Sequence, residues 1–473
     1  MINKIAMIGL GPMGKNLSLN MLNNDIDVVG FDVSKQAREE AKKEGINTVD
    51  SLQKAVDSFD GQKAFWVMVP DTHVDDVLKD LSGHLDENDI LIEGGNSFYK
   101  DTIERVKWAN QRNLFFLGTG VSGGAKGARE GPCIMPGGDR QAYDAVEDIL
   151  IEIAAEVKGE PCVDYMGPEG AGHFVKMVHN GIEYAIMEAI VESYHIMLKA
   201  GFSYGEMQDH FEDWSQTHAL GGYLTEITAD ILDTEDNKTG KTKVETILDT
   251  ASQKGTGRWA SQVARDMGVP VQLIGTAAFE RTLSSFKELR GQASELFRQD
   301  FPEYEGNKKD VAEQIESGLY TSVIVAYAQG FQMLANCRKT EEENLCGYDL
   351  NLKKIAKIWR GGCIIRSKLL NDFMKIFDKQ PNLENLILSD KFSTEIKENM
   401  PKLRKLVNTS HKLGVPIPVL GDTVSYYDSL RHERLPSAAM IQAMRDYFGS
   451  HTYRRVDDLE GIYHTHWNSD RTE

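Results

Sequence analysis

The chain has 473 residues, 41% of them hydrophobic and 26% charged, which exceeds one ordinary core and excludes a disordered chain. Its 53 basic and 72 acidic residues leave a net charge of -19. That excludes general binding to a nucleic-acid backbone and requires any anionic ligand to meet a local cluster of cations. Five scattered cysteines without a Cys-x-x-Cys pair argue against a disulfide scaffold or a Cys-rich zinc site and fit a reducing, cytoplasmic setting. No run of 18 apolar residues predicts a membrane span, and the N-terminus lacks a signal-peptide layout.

In chain order, short apolar runs at 5–8, 28–31, 65–69, 90–92 and 115–117 read as buried strands. Amphipathic stretches such as 36–44 and 74–81 read as helices between them, an alternation that predicts a parallel sheet with crossover helices. Glycines gather at the strand ends, where such sheets bind ligands. After Gly172 helix-period segments dominate (173–198, 311–334, 352–360). The stretches 175–198 and 311–334 look loosely alike, a weak sign of a helical repeat. The expected organisation is an α/β Rossmann-type N-terminal domain (1–176), a large all-α domain (177–434) and a polar, aromatic tail (435–473) that frays or docks on something.

Gly9, Gly11 and Gly14 form a Gly-x-Gly-x-x-Gly turn between the first strand and the first helix. The first glycine permits the tight turn, the second lets a pyrophosphate approach the backbone, and the third lets helix and strand pack closely. The helix start then offers unpaired N–H groups to the phosphates. Asp32 ends the second strand, where a carboxylate accepts from the ribose hydroxyls and repels a 2′-phosphate. Val33 and Ser34 supply no arginine fork, although Lys35 can still reach a phosphate. NAD is therefore expected over NADP, with NADP possible. The alternative is that Asp32 only caps the helix starting near Ser34.

The most informative segment runs from Gly170 to Tyr184. If helical, it places Lys176, His179, Asn180 and Glu183 at i, i+3, i+4 and i+7, on one face. A salt-bridged surface helix is the plainer alternative.

With the stretches 94–97 (Gly-Gly-Asn-Ser), 118–124, 131–138, 253–257, 283–285, 359–366 and 445–453, this segment resembles the long, dimeric, decarboxylating 6-phosphogluconate dehydrogenases, essentially end to end. Shorter β-hydroxyacid dehydrogenases share only the first part and the Gly-x-x-x-Lys helix. The resemblance implies oxidation of 6-phosphogluconate at C3, loss of CO2 and release of ribulose 5-phosphate. It implies Lys176 as general base and then acid, and Glu183 as general acid. Lys176 must be neutral to act, so its pKa must be lowered by burial or nearby cations. By resemblance, Ser122, Gly123 and Gly124 hold the substrate carboxylate, and Asn96 lies between substrate and nicotinamide. His179 and Asn180 take sugar hydroxyls, while Tyr184, Lys254, Thr256 and Arg281 take the phosphate. Gly9, Leu10, Gly11, Pro12, Met13, Gly14, Asp32, Val33, Ser34, Val69 and Asn96 line the cofactor. Arg445 and His451 match tail residues that complete the other subunit's site, which implies a homodimer.

Two departures stand out. Many family members carry Asn-Arg-Thr/Ser where this chain has Asp32, Val33 and Ser34, and in them the arginine pairs with the 2′-phosphate. The common Ser-Gly-Gly-Glu-Glu ends here in Ala125 and Lys126, which alters local charge without removing a catalytic group. Cys363 reads as packing, because no His/Asp pattern frames it. No metal is expected: His464 and His466 lack a carboxylate or cysteine partner pattern, and hydride transfer to a nicotinamide needs none. The rival readings are the same reaction with NADP, another β-hydroxyacid dehydrogenase, and a catalytically silent cofactor-binding dimer.

Overall fold

The computed structural model describes residues 2–253, 255–337 and 347–467. It begins with β1 (Lys4–Ile8), α1 (Pro12–Asn23), β2 (Asp27–Phe31), α2 (Lys35–Lys43), β3 (Asn47–Val49), α3 (Leu52–Val56), β4 (Ala64–Val67) and α4 (Asp71–Ser82). It continues through β5 (Ile90–Glu93), α5 (Tyr99–Asn110), β6 (Phe115–Ser122), α6 (Gly124–Glu130), β7 (Cys133–Gly138) and α7 (Arg140–Ile153). These strands form one sheet in the order β3-β2-β1-β4-β5-β6-β7. The first six run parallel, and β7 pairs antiparallel with β6. Only residues 123–132 join β6 to β7, which is short for a parallel crossover. The all-parallel expectation therefore fails at this edge. Because strand order reverses at β1, the crevice beside the carboxyl ends of β1 and β4 is the ligand position of this architecture.

Both faces of the sheet are covered. Ile5, Met7, Trp66 and Ile92 pack with Leu17, Met21, Val146 and Leu150 of α1 and α7. Ala6, Ile8, Phe65, Val67 and Leu91 pack with Val74, Leu78 and Val106 of α4 and α5. The alternation along each strand sends neighbours to opposite layers, so the strands read as continuous apolar runs.

A small ribbon, β8 (Glu156–Val157) and β9 (Glu160–Pro161), precedes the 29-residue α8 (Ala171–Lys199). Next come α9 (Tyr204–Gln216), α10 (Tyr223–Asp233), α11 (Thr256–Asp266), α12 (Gln272–Ser284), α13 (Lys287–Leu296) and the 29-residue α14 (Lys308–Asn336). Beyond it lie α15 (Leu352–Ile358), α16 (Leu370–Lys379), α17 (Asp390–Lys412), α18 (Pro418–Leu430), α19 (Pro436–Gly449), β10 (Tyr453–Arg455) and β11 (Asp458–Tyr463). The two stretches that look alike in sequence are α8 and α14, which are buried almost all round and pack together. A Cβ at Gly330 of α14 would stand 2.4 Å from the Ile182 side chain, so glycine sets that close approach.

The chain divides into two compact units, Met1–Gly421 and Asp422–Glu473. Over its described residues, 422–467, the second is tied together rather than frayed. Buried Asp446 accepts from Thr452 N (3.0 Å), His464 Nδ1 (2.9 Å), Thr465 N (3.0 Å) and Trp467 Nε1 (2.9 Å). Burial opposes the charge, but these donors outweigh it and hold the carboxyl down at about 2. One carboxylate thus ties the β10–β11 ribbon to α19. Cys133, Cys162 and Cys363 are buried thiols. Cys337 is disulfide-bonded, which departs from the expectation of reduced cysteines. Cys346 lies outside the described residues. Among those residues no helix is long and apolar enough to cross a membrane.

Candidate active site

The glycine turn has the predicted geometry. Gly9 adopts φ +101°, and a Cβ there would lie 2.6 Å from Met68 O. A Cβ on Gly14 would lie 2.0 Å from Gly9 O, whereas one on Gly11 meets nothing within 4 Å. The first and third glycines are packed against, and the second faces open space where a pyrophosphate fits. Pro12 opens α1 at a position that needs no N–H, and Leu10 and Met13 flank it.

Asp32 stands at the end of β2. Its carboxylate accepts from Leu10 N at 2.8 Å and from Ser34 N at 2.7 Å, tying the glycine loop to the strand end. Ser34 itself caps α2 by accepting from Ala37 N, so the alternative role for Asp32 as that cap is not what forms. Each carboxylate oxygen keeps a free lone pair for a ribose hydroxyl. Val33 is 90% exposed. Beside it, Lys35, Arg38, Lys42 and Lys54 line a groove of about 400 Å³ with Thr48 and Asp50. Sequence reasoning weighed only Lys35; the other cations reach the groove from α2 and α3. Val69 and Asn96 follow β4 and β5, on the loops bordering the crevice.

α8 is seated on glycine backbone. A Cβ at Gly172 would lie 2.2 Å from Gly118 O, and one at Gly120 would lie 2.5 Å from Lys176 Cβ. This contact delivers Lys176 to the carboxyl end of β6. Lys176 is 6% exposed. Burial lowers its pKa, opposed by the charge of Glu183. Glu183, whose side chain is 20% exposed, moves the other way: burial raises it, against the pull of Lys176 and Arg281. The surface-helix alternative is excluded, since the face carrying these groups is buried. His179 sits between them, 3.8 Å from Glu183, and burial followed by the Lys176 charge pushes it well below its usual value. As a neutral ring it donates from Nδ1 to Asn180 Oδ1 (2.9 Å) and accepts at Nε2 from the Ser122 hydroxyl (3.1 Å).

Ser122 closes β6, and Gly123 and Gly124 have φ +120° and +62°. Gly124 has nothing within 4 Å of a Cβ position. On the helical side, the Arg281 guanidinium lies 3.6 Å from the centre of the Tyr184 ring. Among the described residues no carboxylate lies within ion-pair distance of it. Thr256 is buried at the first turn of α11. Lys254 lies outside the described residues. Arg445 is on α19, where its Nη1 donates to Gln442 Oε1 at 3.0 Å, and His451 stands edge-on to Phe448. Both belong to the second unit.

Thus Lys176, His179, Asn180, Glu183 and Ser122 form one buried cluster, with Tyr184 and Arg281 beyond Glu183. Sequence reasoning missed the side chains beneath the 94–97 loop: Glu93, Arg105 and His173. Buried charge on a strand end and a helix face gives no periodic signal.

A doubly wound glycine-loop domain that presents its crevice to a buried lysine–carboxylate helix defines a dinucleotide-dependent hydroxyacid dehydrogenase. Two family models cover the chain: the NAD binding domain of 6-phosphogluconate dehydrogenase over residues 4–167, and the C-terminal domain of 6-phosphogluconate dehydrogenase over residues 172–467. The chain belongs to the 6-phosphogluconate dehydrogenase family. The NADP(+)-dependent, decarboxylating 6-phosphogluconate dehydrogenase of Bacillus subtilis is 44% identical, over 98% of this chain and 99% of its own length. The decarboxylating enzyme of Homo sapiens is also 44% identical, over 98% and 96%. The solved structure of Plasmodium falciparum 6-phosphogluconate dehydrogenase, described in apo form and with its cofactor NADP+ and its substrate 6-phosphogluconate, superposes with a TM-score of 0.91. It is 37% identical and covers 98% of this chain and 100% of its own.

Proposed function

We propose that the protein oxidises 6-phospho-D-gluconate to D-ribulose 5-phosphate and CO2, with NAD as the preferred acceptor. The observation that carries this reading is the buried pair on α8, Lys176 pushed down and Glu183 pushed up. Opposed shifts of that kind assign base and acid within one site.

The glycine turn, Asp32, Val33, Ser34, Val69 and Asn96 would hold the dinucleotide, whose nicotinamide would supply the hydride acceptor. Neutral Lys176 takes the C3 hydroxyl proton as C3 becomes a ketone. The carboxylate then leaves as CO2, and the protonated lysine donates to the C3 oxygen as electrons arrive there. Protonated Glu183 supplies the proton at the carbon that lost CO2, while Lys176, neutral again, takes back the hydroxyl proton as the ketone re-forms. Ser122, Gly123 and Gly124 take the carboxylate end, and His179 and Asn180 the hydroxyls. Tyr184, Thr256, Arg281 and Lys254 take the phosphate; Arg281 has no carboxylate within ion-pair distance among the described residues, and its planar fork suits that group. This is the local cationic end that an acidic chain requires.

The same reading includes the division at 176 and 434, a cytoplasmic location, and a homodimer in which Arg445 and His451 complete the partner's site. Exposed Phe279, Leu283, Phe286 and Leu289 in one unit, and Met440, Ile441, Met444 and Phe448 in the other, support burial against a second copy.

NAD preference rests on Asp32, whose carboxylate would lie close to any 2′-phosphate and repel it. The groove of Lys35, Arg38, Lys42 and Lys54 favours a second reading, the same reaction with NADP. Initial rates with 6-phosphogluconate and each cofactor test both. A kcat/KM for NAD at least about tenfold higher supports the Asp32 reading. The reverse ratio overturns it in favour of the groove, and no turnover with either overturns the reaction.

A further inference from the structure

The loop carrying Asn96 is closed at its base by the two residues that flank it. Glu93, fully buried, ends β5, and Ser97, also buried, follows Asn96. The Ser97 hydroxyl donates to Glu93 Oε1. Arg105 of α5 donates from Nη1 to Ser97 Oγ at 2.9 Å and to Glu93 Oε2 at 3.2 Å, while its Nε reaches Asp75 of α4 at 2.6 Å. The loop also rests on a tight floor: a Cβ on Gly94 would lie 2.2 Å from Trp66 Nε1, and one on Gly95 would lie 3.1 Å from Val69 O. Asn96 itself is exposed, and its carboxamide makes no hydrogen bond to the described residues. Its direction is therefore set by the loop alone. The same Glu93 carboxylate lies 4.0 Å from Nδ1 of His173, one turn before Lys176 on α8.

We propose that Ser97, bridging Glu93 and Arg105, is a positioning residue that holds Asn96 between the nicotinamide and the substrate. The inference rests on the reaction proposed above. Three side chains from β5, the loop and α5 close a ring around a segment of three residues, so displacing any one of them lets Asn96 swing. Misplacement by about an ångström at a reacting centre costs one to two powers of ten in rate. Removing Arg105 would leave the fully buried Glu93 carboxylate without its cation, and removing Glu93 would strip Arg105 of its buried partner, so either change threatens the fold. Ser97→Ala removes only the bridging hydroxyl and leaves the ion pair in place.

The test uses the full-length protein with 6-phosphogluconate, unlabelled or deuterated at C3. In Ser97→Ala, kcat should fall about tenfold, with the substrate KM within roughly threefold of wild type. The deuterium isotope effect should rise as hydride transfer becomes slower, and the unfolding midpoint should stay within a few degrees. Asn96→Ala should lower the rate as well, and adding Ser97→Ala to it should cost little more, because one residue acts through the other. An unchanged kcat, fully additive losses, or a rate loss that tracks a lowered midpoint without a change in isotope effect would each overturn the proposal. An inert wild-type protein would instead overturn the reaction itself, and with it this inference, before any variant is compared.

Discussion

Lys176 carries the largest cost and the largest use at the residue scale. Burial lowers its pKa in the folded protein, while in the unfolded chain it keeps an ordinary value of about 10.4. Between those two values the unfolded chain holds the extra proton, so stability rises with pH through that window and is lowest below it. Lys176→Met removes this penalty. The variant should lose about 10²- to 10⁴-fold in kcat, bind the dinucleotide as wild type does, and melt no lower than wild type at neutral pH. Near-normal turnover would remove Lys176 from the mechanism. Glu183 gives a second sign. Burial raises its pKa, and activity that needs it protonated disappears as pH rises through that raised value. Glu183→Gln, which cannot ionise, should therefore lose the alkaline limb of the kcat/KM profile. An alkaline limb that stays in place would show that Glu183 does not set it. That Lys176 and Glu183 share a face was legible in sequence from helical spacing, their roles were what the resemblance implies, and a lowered Lys176 pKa was expected from its role. The raising of Glu183 was not, because it depends on what packs against that face.

At the scale of elements, the three glycines of the first turn separate packing from binding. A Cβ on Gly14 would stand 2.0 Å from Gly9 O, whereas one on Gly11 meets nothing. Gly14→Ala should therefore destabilise the protein by about 1–3 kcal/mol, seen in chemical denaturation without ligand. Gly11→Ala should leave the unfolding midpoint within about a degree and raise the KM for the dinucleotide at least about tenfold, because the added methyl occupies the pyrophosphate's approach. Equal destabilisation by both would mean that Gly11 is also a packing glycine. The turn, the strands and the long central helix were readable because each rests on local pattern. The antiparallel β7 was not, since its direction follows from a short connection rather than from its own residues. Nor was the Glu192 tie, in which both carboxylate oxygens of a buried α8 residue accept from Val419 N (2.6 Å) and Leu420 N (2.8 Å). That bond joins residues far apart in the chain, where no pattern reaches.

For the whole molecule, the question is where the exposed apolar surface goes. Phe279, Leu283, Phe286 and Leu289 recur at helical spacing along α12 and α13 and are each about half exposed or more. Met440, Ile441, Met444, Tyr447 and Phe448 do the same on α19, beside Arg445. An acidic chain of net charge -19 does not leave two such faces in water without cause. If two copies cover them and each tail serves the other copy's site, the catalytic helix and the tail cations of one working site come from different chains. Two inactive variants then complement each other. Lys176→Met spoils the site built on its own α8, and His451→Ala spoils the site its tail serves. In a mixed dimer both defects fall on the same site, because the His451→Ala tail reaches the Lys176→Met helix, and the other site is intact. Unfolding or dissociating an equal mixture and reassembling it yields half mixed dimers, each with one working site, so about a quarter of wild-type activity should return. The proteins merely combined without exchange should stay near the sum of their separate activities. If reassembly restores dimers by mass but no activity, the tail completes its own chain's site and the shared-site arrangement is wrong. If the chain remains a monomer by mass and wild type is nevertheless active, the apolar faces serve some other contact.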